Sequence, residues 1–340
     1  MFDQALGRLG SDLAVDLGTS NTRVFVRGRG IVVETPSVVA TDRNAGGRVV
    51  AVGDEAKRML GRTPEHITAL SPIRDGVIAD FGAAEELLRD CVDTALQGRR
   101  LVRPRMVVCV PQATSDVERR AVQEFARAVG ARDIALVSKS VAAALGAELA
   151  VHESVGTLVV DLGGGVTEVA LLSLGSVVDS TSIRAAGDTL DGAIAAWIRD
   201  HHNVLIGARA AEEVKLAVGT AMPRPDARET QVTGRDLTSG IPREVTVRAE
   251  DVQTAIREPL RVIVEGIRQV LARATPEIAG DVADNGIVLT GGTALLGDMD
   301  RFISEATGLP VVIADDPRRA TAMGAGLLLE DDETLDRVAL

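Results

Sequence analysis

The sequence predicts an α/β fold built as two similar halves around one cleft, and three observations carry that prediction. Residues 16–24 read DLGTSNTRV and residues 161–169 read DLGGGVTEV, so one short pattern occurs once in each half of the chain. Each copy follows an apolar run (Leu13-Ala14-Val15; Thr157-Leu158-Val159-Val160) and re-enters another (Val24-Phe25-Val26; Val169-Ala170-Leu171-Leu172), the signature of a hairpin. Between the copies, short apolar runs alternate with helix-period stretches, as strands paired in parallel require. The length of 340 residues, with 46% hydrophobic and 25% charged residues, suits two globular domains each with its own core.

Composition narrows the function classes. A net charge of −12 leaves no basic excess to displace the counterions of a nucleic acid. Cys91 and Cys109 fit neither a disulfide framework nor a zinc site and read as buried thiols in a reducing cytosol. There is no apolar run long enough to span a bilayer, and the first residues lack a signal-peptide core. Lys57, Lys139 and Lys215 are the only lysines among 37 basic residues, so a lysine kept against that bias invites a question.

In chain order, residues 1–10 place Phe2, Leu6 and Leu9 on one helical face, which reads as a frayed terminus or a short interfacial anchor. Residues 30–40 predict two strands bent at Pro36, and 41–80 a small subdomain of turns. A helix over 83–97 is expected to stop at Gly98. Gly98 to Arg105 sets Leu101 and Val102 among four arginines, either a basic surface loop or a lipid-inserting one. Met106–Pro111 reads as a buried central strand. Ser115-Asp116-Val117-Glu118 is a capping box, with Val117, Ala121, Val122, Phe125 and Val129 as the core stripe of its helix. A strand at 134–137 leads into an alanine-rich helix reaching about His152. The second half continues with a strand over 177–184 and a helix from Gly187 carrying Trp197 as a core residue. A helix with Glu212 and Lys215 follows, then a polar insertion that becomes strand-like at 244–248. Helices are predicted at 250–258 and 259–274, the second opening at Pro259. After them come a strand ending at Gly291-Gly292, a last helix at 319–329, and an acidic, loose tail at 331–340. His201 and His202 have no partners at metal-ligand spacing.

The two Asp-Leu-Gly turns carry the chemistry. Their small residues let backbone N–H groups cradle phosphate oxygens, and an aspartate at each strand end can hold a hydrated cation. None of the lysines follows a glycine, which excludes a P-loop; a Gly-x-Gly-x-x-Gly fingerprint and a Gly-x-Ser-x-Gly elbow are also absent. The turn at Gly291-Gly292 supplies a third close backbone approach, suited to a nucleoside.

These strings together resemble the actin, heat-shock-chaperone and sugar-kinase ATPase superfamily, and within it the MreB family of bacterial actin-like cell-shape proteins. The resemblance covers about residues 11–329 and rests on DLGTSNT, PSVVA, DGVIADF, VPQATSDVERRAV, VVDLGGGVTEVA, SIRAAGDTLDGAI, AEEVKLAVGTA, GRDLTSGIP and GIVLTGGTALL. It implies an actin-like (ribonuclease-H-like) fold with domains at 1–153 and 154–330, carrying small subdomains at about 31–80 and 217–258. It implies ATP or ADP with magnesium as cofactors. Asp16, Gly18, Thr19 and Asn21 match the first phosphate loop; Asp161, Gly163, Gly164, Gly165 and Thr167 match the second, Thr167 also as a catalytic residue. Asp16 and Asp161 would face the magnesium through water. Glu212 and Lys215 match residues beside the nucleoside, and Gly291, Gly292 and Thr293 the adenine-side turn. Leu101 and Val102 coincide with the family's membrane-inserting loop. The implied partners are further copies of the chain in a filament, the inner face of the cytoplasmic membrane, the cell-wall synthesis machinery and a paralogous MreB, with no nucleic acid; the implied location is cytoplasmic, peripheral at that membrane.

Two positions depart from the family pattern. The family reads Glu-Glu-Pro before the alanine-rich helix, where Ser138-Lys139-Ser140 stands here, so Lys139 occupies the place of the glutamate that orients the attacking water. An ammonium cannot accept a proton at neutral pH, which predicts ATP binding with weak or absent hydrolysis. It would instead draw γ-phosphate oxygens as a point charge, and Glu168 is a candidate replacement acid. Arg23 stands where the family is apolar, and it either adds charge near the phosphates or faces solvent.

Overall fold

The computed structural model describes residues 12–97, 103–224 and 228–340. The N-terminal segment, Leu101 and Val102 therefore lie outside the described residues. The first half opens with an antiparallel meander, β1 (Leu13–Leu17), β2 (Asn21–Val26) and β3 (Gly30–Pro36). β4 (Val39–Asp42), β5 (Arg48–Val52) and β6 (Ile67–Leu70) form a separate small sheet, with α1 (Asp54–Met59) between the last two. A short hairpin of β7 (Ile73–Arg74) and β8 (Val77–Ile78) leads to α2 (Phe81–Leu96), then β9 (Arg105–Val110), α3 (Asp116–Ala128), β10 (Asp133–Ser138) and α4 (Lys139–Gly146). β9 pairs parallel with β1 and β10 parallel with β9, giving the order β10-β9-β1-β2-β3.

The second half repeats this plan. β11 (Thr157–Leu162), β12 (Thr167–Ser173) and β13 (Ser176–Ile183) form its meander, followed by α5 (Gly187–His202), β14 (Val204–Leu205) and α6 (Ala208–Val218). β15 (Glu229–Asp236) and β16 (Pro242–Arg248) extend β14 into a second small sheet. α7 (Ala249–Arg273), α8 (Pro276–Asn285), β17 (Ile287–Thr290), α9 (Met299–Thr307) and β18 (Val311–Ile313) complete the sheet β13-β12-β11-β17-β18. α10 (Ala320–Leu328) and α11 (Asp332–Val338) end the chain. Both large sheets thus have their third, second, first, fourth and fifth strands in the same order, with parallel pairs only beyond the first strand. Their central strands are buried throughout: β1, β9 from Met106 onward and β11 from Leu158 to Val160 bury every apolar side chain, as strands covered on both faces must.

α10 belongs by sequence to the second half but lies against α4, β1, β2 and β9 of the first. Its crossing with α4 is backbone on backbone. A Cβ on Gly146 would collide with the Ala320 carbonyl, and one on Gly324 with the Ala142 carbonyl. The alanine-rich helix stops at Gly146, with Ala147 as its C-cap, rather than near His152. The 331–340 tail is likewise not loose. α11 buries Leu335 and Val338, Arg105 pairs with Asp332 at 2.6 Å, and the Leu340 amide donates to the Leu136 carbonyl at 2.9 Å.

Other local expectations shift for identifiable reasons. α7 is one helix of 25 residues running through Pro259, because Val252, Ile256, Leu260, Ile263 and Ile267 form one buried stripe. Burial of that stripe outweighs the single hydrogen bond that proline removes. The capping box forms, the Ser115 amide donating to Glu118 at 2.8 Å, yet Val117 in the first turn is 74% exposed and outside the core stripe. α2 ends on Gln97 in the left-handed region (φ 50°). β15 was hidden in the polar insertion because alternate residues of that edge hairpin face solvent.

Replacing Gly324 by alanine should cost about 1–3 kcal/mol by forcing α4 and α10 apart. Gly192 lies on the exposed face of α5 with open space around it, so its alanine variant should be neutral or slightly stabilising. Thermal denaturation of both variants checks this; equal melting temperatures would show that the crossing is not tight.

Candidate functional site

The two large sheets present the ends of β1 and β11 to one cleft of about 360 Å³. This is the carboxyl edge of the parallel strands, where open α/β sheets bind ligands. The two Asp-Leu-Gly turns close in the same way: the Gly18 amide donates to the Asn21 carbonyl and the Gly163 amide to the Val166 carbonyl, each at 3.1 Å. They face each other so closely that a Cβ on Gly164 would collide with Ser20, and one on Gly165 would come within 2.7 Å of the Thr19 hydroxyl. Small residues here are a steric requirement. Behind the second turn, the Gly187 and Asp188 amides at the start of α5 donate to the carbonyls of Gly163 and Gly164. The 16-residue helix α5 thereby directs the positive end of its dipole at the cleft.

The third glycine turn is wired to the second. The Thr293 hydroxyl donates to the Gly163 carbonyl at 2.8 Å, and Gly291 adopts φ 82° where a Cβ would meet Asp161. Asp16, Gly18, Thr19, Asn21, Asp161, Gly163, Gly164, Gly165, Lys139, Glu212, Lys215, Gly291, Gly292 and Thr293 all line the cleft. Thr167 does not: it is fully buried and donates its hydroxyl to the Ala185 carbonyl at 2.7 Å. Glu212 pairs with Lys57 at 2.9 Å, bridging α6 and α1. Lys215 is held by Asp191 at 2.8 Å and by the Gly187 carbonyl at 3.1 Å. Arg105, one of the arginines flanking Leu101 and Val102 in the sequence, is committed to Asp332.

The duplication breaks in its charges. Cross-strand register sets Asp16 opposite Arg23 and Asp161 opposite Glu168. Arg23 does not face solvent. Its side chain is 9% exposed, 3.9 Å from Asp16 and 2.8 Å from Glu34. Glu34 is shared with Arg319 at the start of α10, at 2.9 Å. Lys139, the first residue of α4, places its Nζ 2.8 Å from Asp16 Oδ1 and donates to the Leu17 carbonyl at 2.8 Å. Burial opposes that charge, but Asp16 outweighs it and holds the ammonium above its usual range. Burial raises Asp161 despite Lys139 nearby, and burial pushes Glu168 up to about 7. Glu168 accepts from the Gln112 amide at 2.9 Å.

The acids expected to hold magnesium do not fit that task. Asp16 is countered by Lys139, and Asp161 Oδ1 accepts from the Thr290 hydroxyl at 3.0 Å. Among the described residues no group of three or more histidines, cysteines or carboxylates could hold a metal ion. The hydrated ion expected against Asp16 and Asp161 thus meets a donor set whose first member already carries a resident ammonium. Sequence reasoning also missed Asp188 and Asp191 of α5 and Arg318 as cleft residues. The string Ala186-Gly187-Asp188 signalled a helix start, but only the fold reveals that it abuts the second Asp-Leu-Gly turn.

Glu168 makes stability depend on pH. It stays protonated in the folded chain up to about 7 but ionises near 4.5 when unfolded. Between those values the folded chain holds the extra proton, so stability falls as pH rises, by on the order of 3 kcal/mol. Glu168→Gln keeps an acceptor for Gln112 and should lose less melting temperature than wild type between about pH 5 and pH 8. Parallel losses in the two proteins would remove Glu168 as the source.

Residues 10–337 match the MreB/Mbl protein family. The chain is 45% identical over 335 residues to the cell shape-determining protein MreB of Escherichia coli (strain K12), covering 97% of this chain and 96% of that one. It is 41% identical over 326 residues to the cell shape-determining protein Mbl of Bacillus subtilis (strain 168), covering 96% and 98%. MreB5 of Spiroplasma citri, 31% identical, superposes with a TM-score of 0.89 in its AMPPNP-bound crystal structure and 0.90 in its ADP-bound one, over 96% of this chain and 97% of that chain. This chain belongs to the MreB/Mbl family of actin-like cell shape-determining proteins.

Proposed function

We propose that the chain is an ATP- and ADP-binding filament subunit that works at the inner membrane face and organises cell-wall synthesis. The observation that carries the nucleotide reading is the pair of facing phosphate turns joined to the Gly291 turn in one cleft. Asp16, Gly18, Thr19, Asn21, Asp161, Gly163, Gly164 and Gly165 would surround the phosphates. Glu212 and Lys215 on one side and Gly291, Gly292 and Thr293 on the other would flank the nucleoside. MreB5 of Spiroplasma citri binds AMPPNP and ADP, which supports the same ligand class here. Head-to-tail stacking of identical subunits produces open filaments because such interfaces do not close on themselves. Leu101 and Val102, between Arg100 and Arg103, are the proposed membrane contact.

Hydrolysis is proposed to be slow. The residue at the water-orienting position is an ammonium held by Asp16 and the Leu17 carbonyl, and it can neither accept a proton nor align water. Thr167, engaged with Ala185, does not supply the missing base. Glu168 lines the cleft and is half-ionised near neutrality, but its carboxylate is occupied by Gln112, Ser140 and Ser182. This favours a second reading, in which the protein is a nucleotide-locked member of its family that co-assembles with a typical MreB.

With ATP and magnesium, Lys139→Glu should raise steady-state phosphate release at least tenfold over wild type, within the range general base catalysis supplies. Wild type turning over as fast as the variant would end the slow-hydrolysis reading. Sedimentation with ATP and electron microscopy should reveal filaments that float with anionic liposomes, and Leu101→Ser with Val102→Ser should abolish flotation. Filaments only on mixing with a typical MreB would select the second reading, and flotation unchanged in the double variant would exclude the loop.

A further inference from the structure

Given the nucleotide site proposed above, we propose that Lys139 is a built-in counter-cation that replaces magnesium in nucleotide binding, so that this protein binds ATP and ADP without a divalent ion. The reasoning starts from charge. An aspartate at the strand end beside a phosphate turn repels phosphate, and a hydrated divalent ion ordinarily relieves the repulsion by sitting between them. Here the Asp16 carboxylate is already matched by the Lys139 ammonium at 2.8 Å, in a site where that side chain is 13% exposed. Such a pair is weakly screened by salt because solvent scarcely reaches it.

The surroundings push the balance further. Two carboxylates, Asp16 and Glu34, are shared among three cations, Lys139, Arg23 and Arg319. Arg319 is in turn 3.6 Å from Asp316, so the charge of Asp16 is already balanced by Lys139 and Arg23 before any ligand or metal arrives. Lys139 is also the first residue of α4, so the positive end of that helix adds to its charge. A divalent ion approaching Asp16 would meet this ammonium and be repelled by it. In the second half Asp161 accepts at Oδ1 from Thr290, Asp191 is paired with Lys215 and Glu212 with Lys57, and Glu168 opposite Asp161 is largely protonated below neutrality. Burial of Lys139 favours keeping the ion pair intact: removing one partner would strand the other charge in a poorly solvated site.

Titration calorimetry of ATP into the full chain, in excess EDTA and in excess magnesium, tests the idea. Wild-type affinity should differ by no more than about threefold between the two buffers. Lys139→Gln should lose at least about tenfold in EDTA and regain it with magnesium, while Lys139→Arg should keep the wild-type indifference and report a folded site. Wild type that loses tenfold or more on chelation overturns the proposal, and so does a Lys139→Gln variant that remains indifferent to the metal. Wild type that binds no ATP in either buffer refutes the nucleotide-site reading itself, and this proposal falls with it.

Discussion

The crossing of α4 and α10 is the contact on which the rest of the molecule depends. Each helix belongs to a different half of the sequence, and each half builds a complete five-stranded sheet on its own pattern of strands. Glycine at 146 and 324 brings the two helix backbones into direct contact, closer than any side chain would allow. That approach joins α4, which packs against β11, to α10, which packs against β1. It also explains why the chain returns to its first half at the end: α10 covers β1 and β2, with Gly326 against the ring of Phe25, and α11 then seals the edge near β10. Domain and sequence half are therefore not the same unit.

Duplication built the cleft, and divergence decided its chemistry. The turns at Asp16 and Asp161 keep one backbone geometry, down to the hydrogen bond that closes each. The residue opposite the aspartate is an arginine in one half and a glutamic acid in the other. Backbone geometry is shared because both turns must let the two halves approach closely, whereas side-chain charge across from each aspartate is free to differ. In this chain the first half has gathered cations around Asp16, and the second has buried its acids, which shifts both Asp161 and Glu168 upward.

The readable parts of the sequence were those with local periodicity or a restricted backbone. Alternating runs on either side of Asp-Leu-Gly announced both hairpins, Met106–Val110 announced a central strand, and the Ser115–Glu118 box formed as written. Local rules failed where burial overrode them. Pro259 sits inside a helix because one buried stripe runs through it, and the acidic tail folds because Leu335 and Val338 find a core. Val117 fits the stripe by spacing and is exposed because the helix starts at the protein surface.

By itself, the sequence determined two Asp-Leu-Gly turns, a third glycine turn, an α/β architecture and a lysine at the head of the alanine-rich helix. These follow from spacing, turn chemistry and residue type, which act over a few neighbouring positions. Only the tertiary structure decided what the lysine does. Spacing left Lys139 free to reach toward phosphate and Arg23 free to face solvent; the fold sets both beside Asp16. Ion pairs between distant segments depend on how sheets and helices are brought together, and on the burial that makes an unmatched charge costly. No local pattern encodes either quantity.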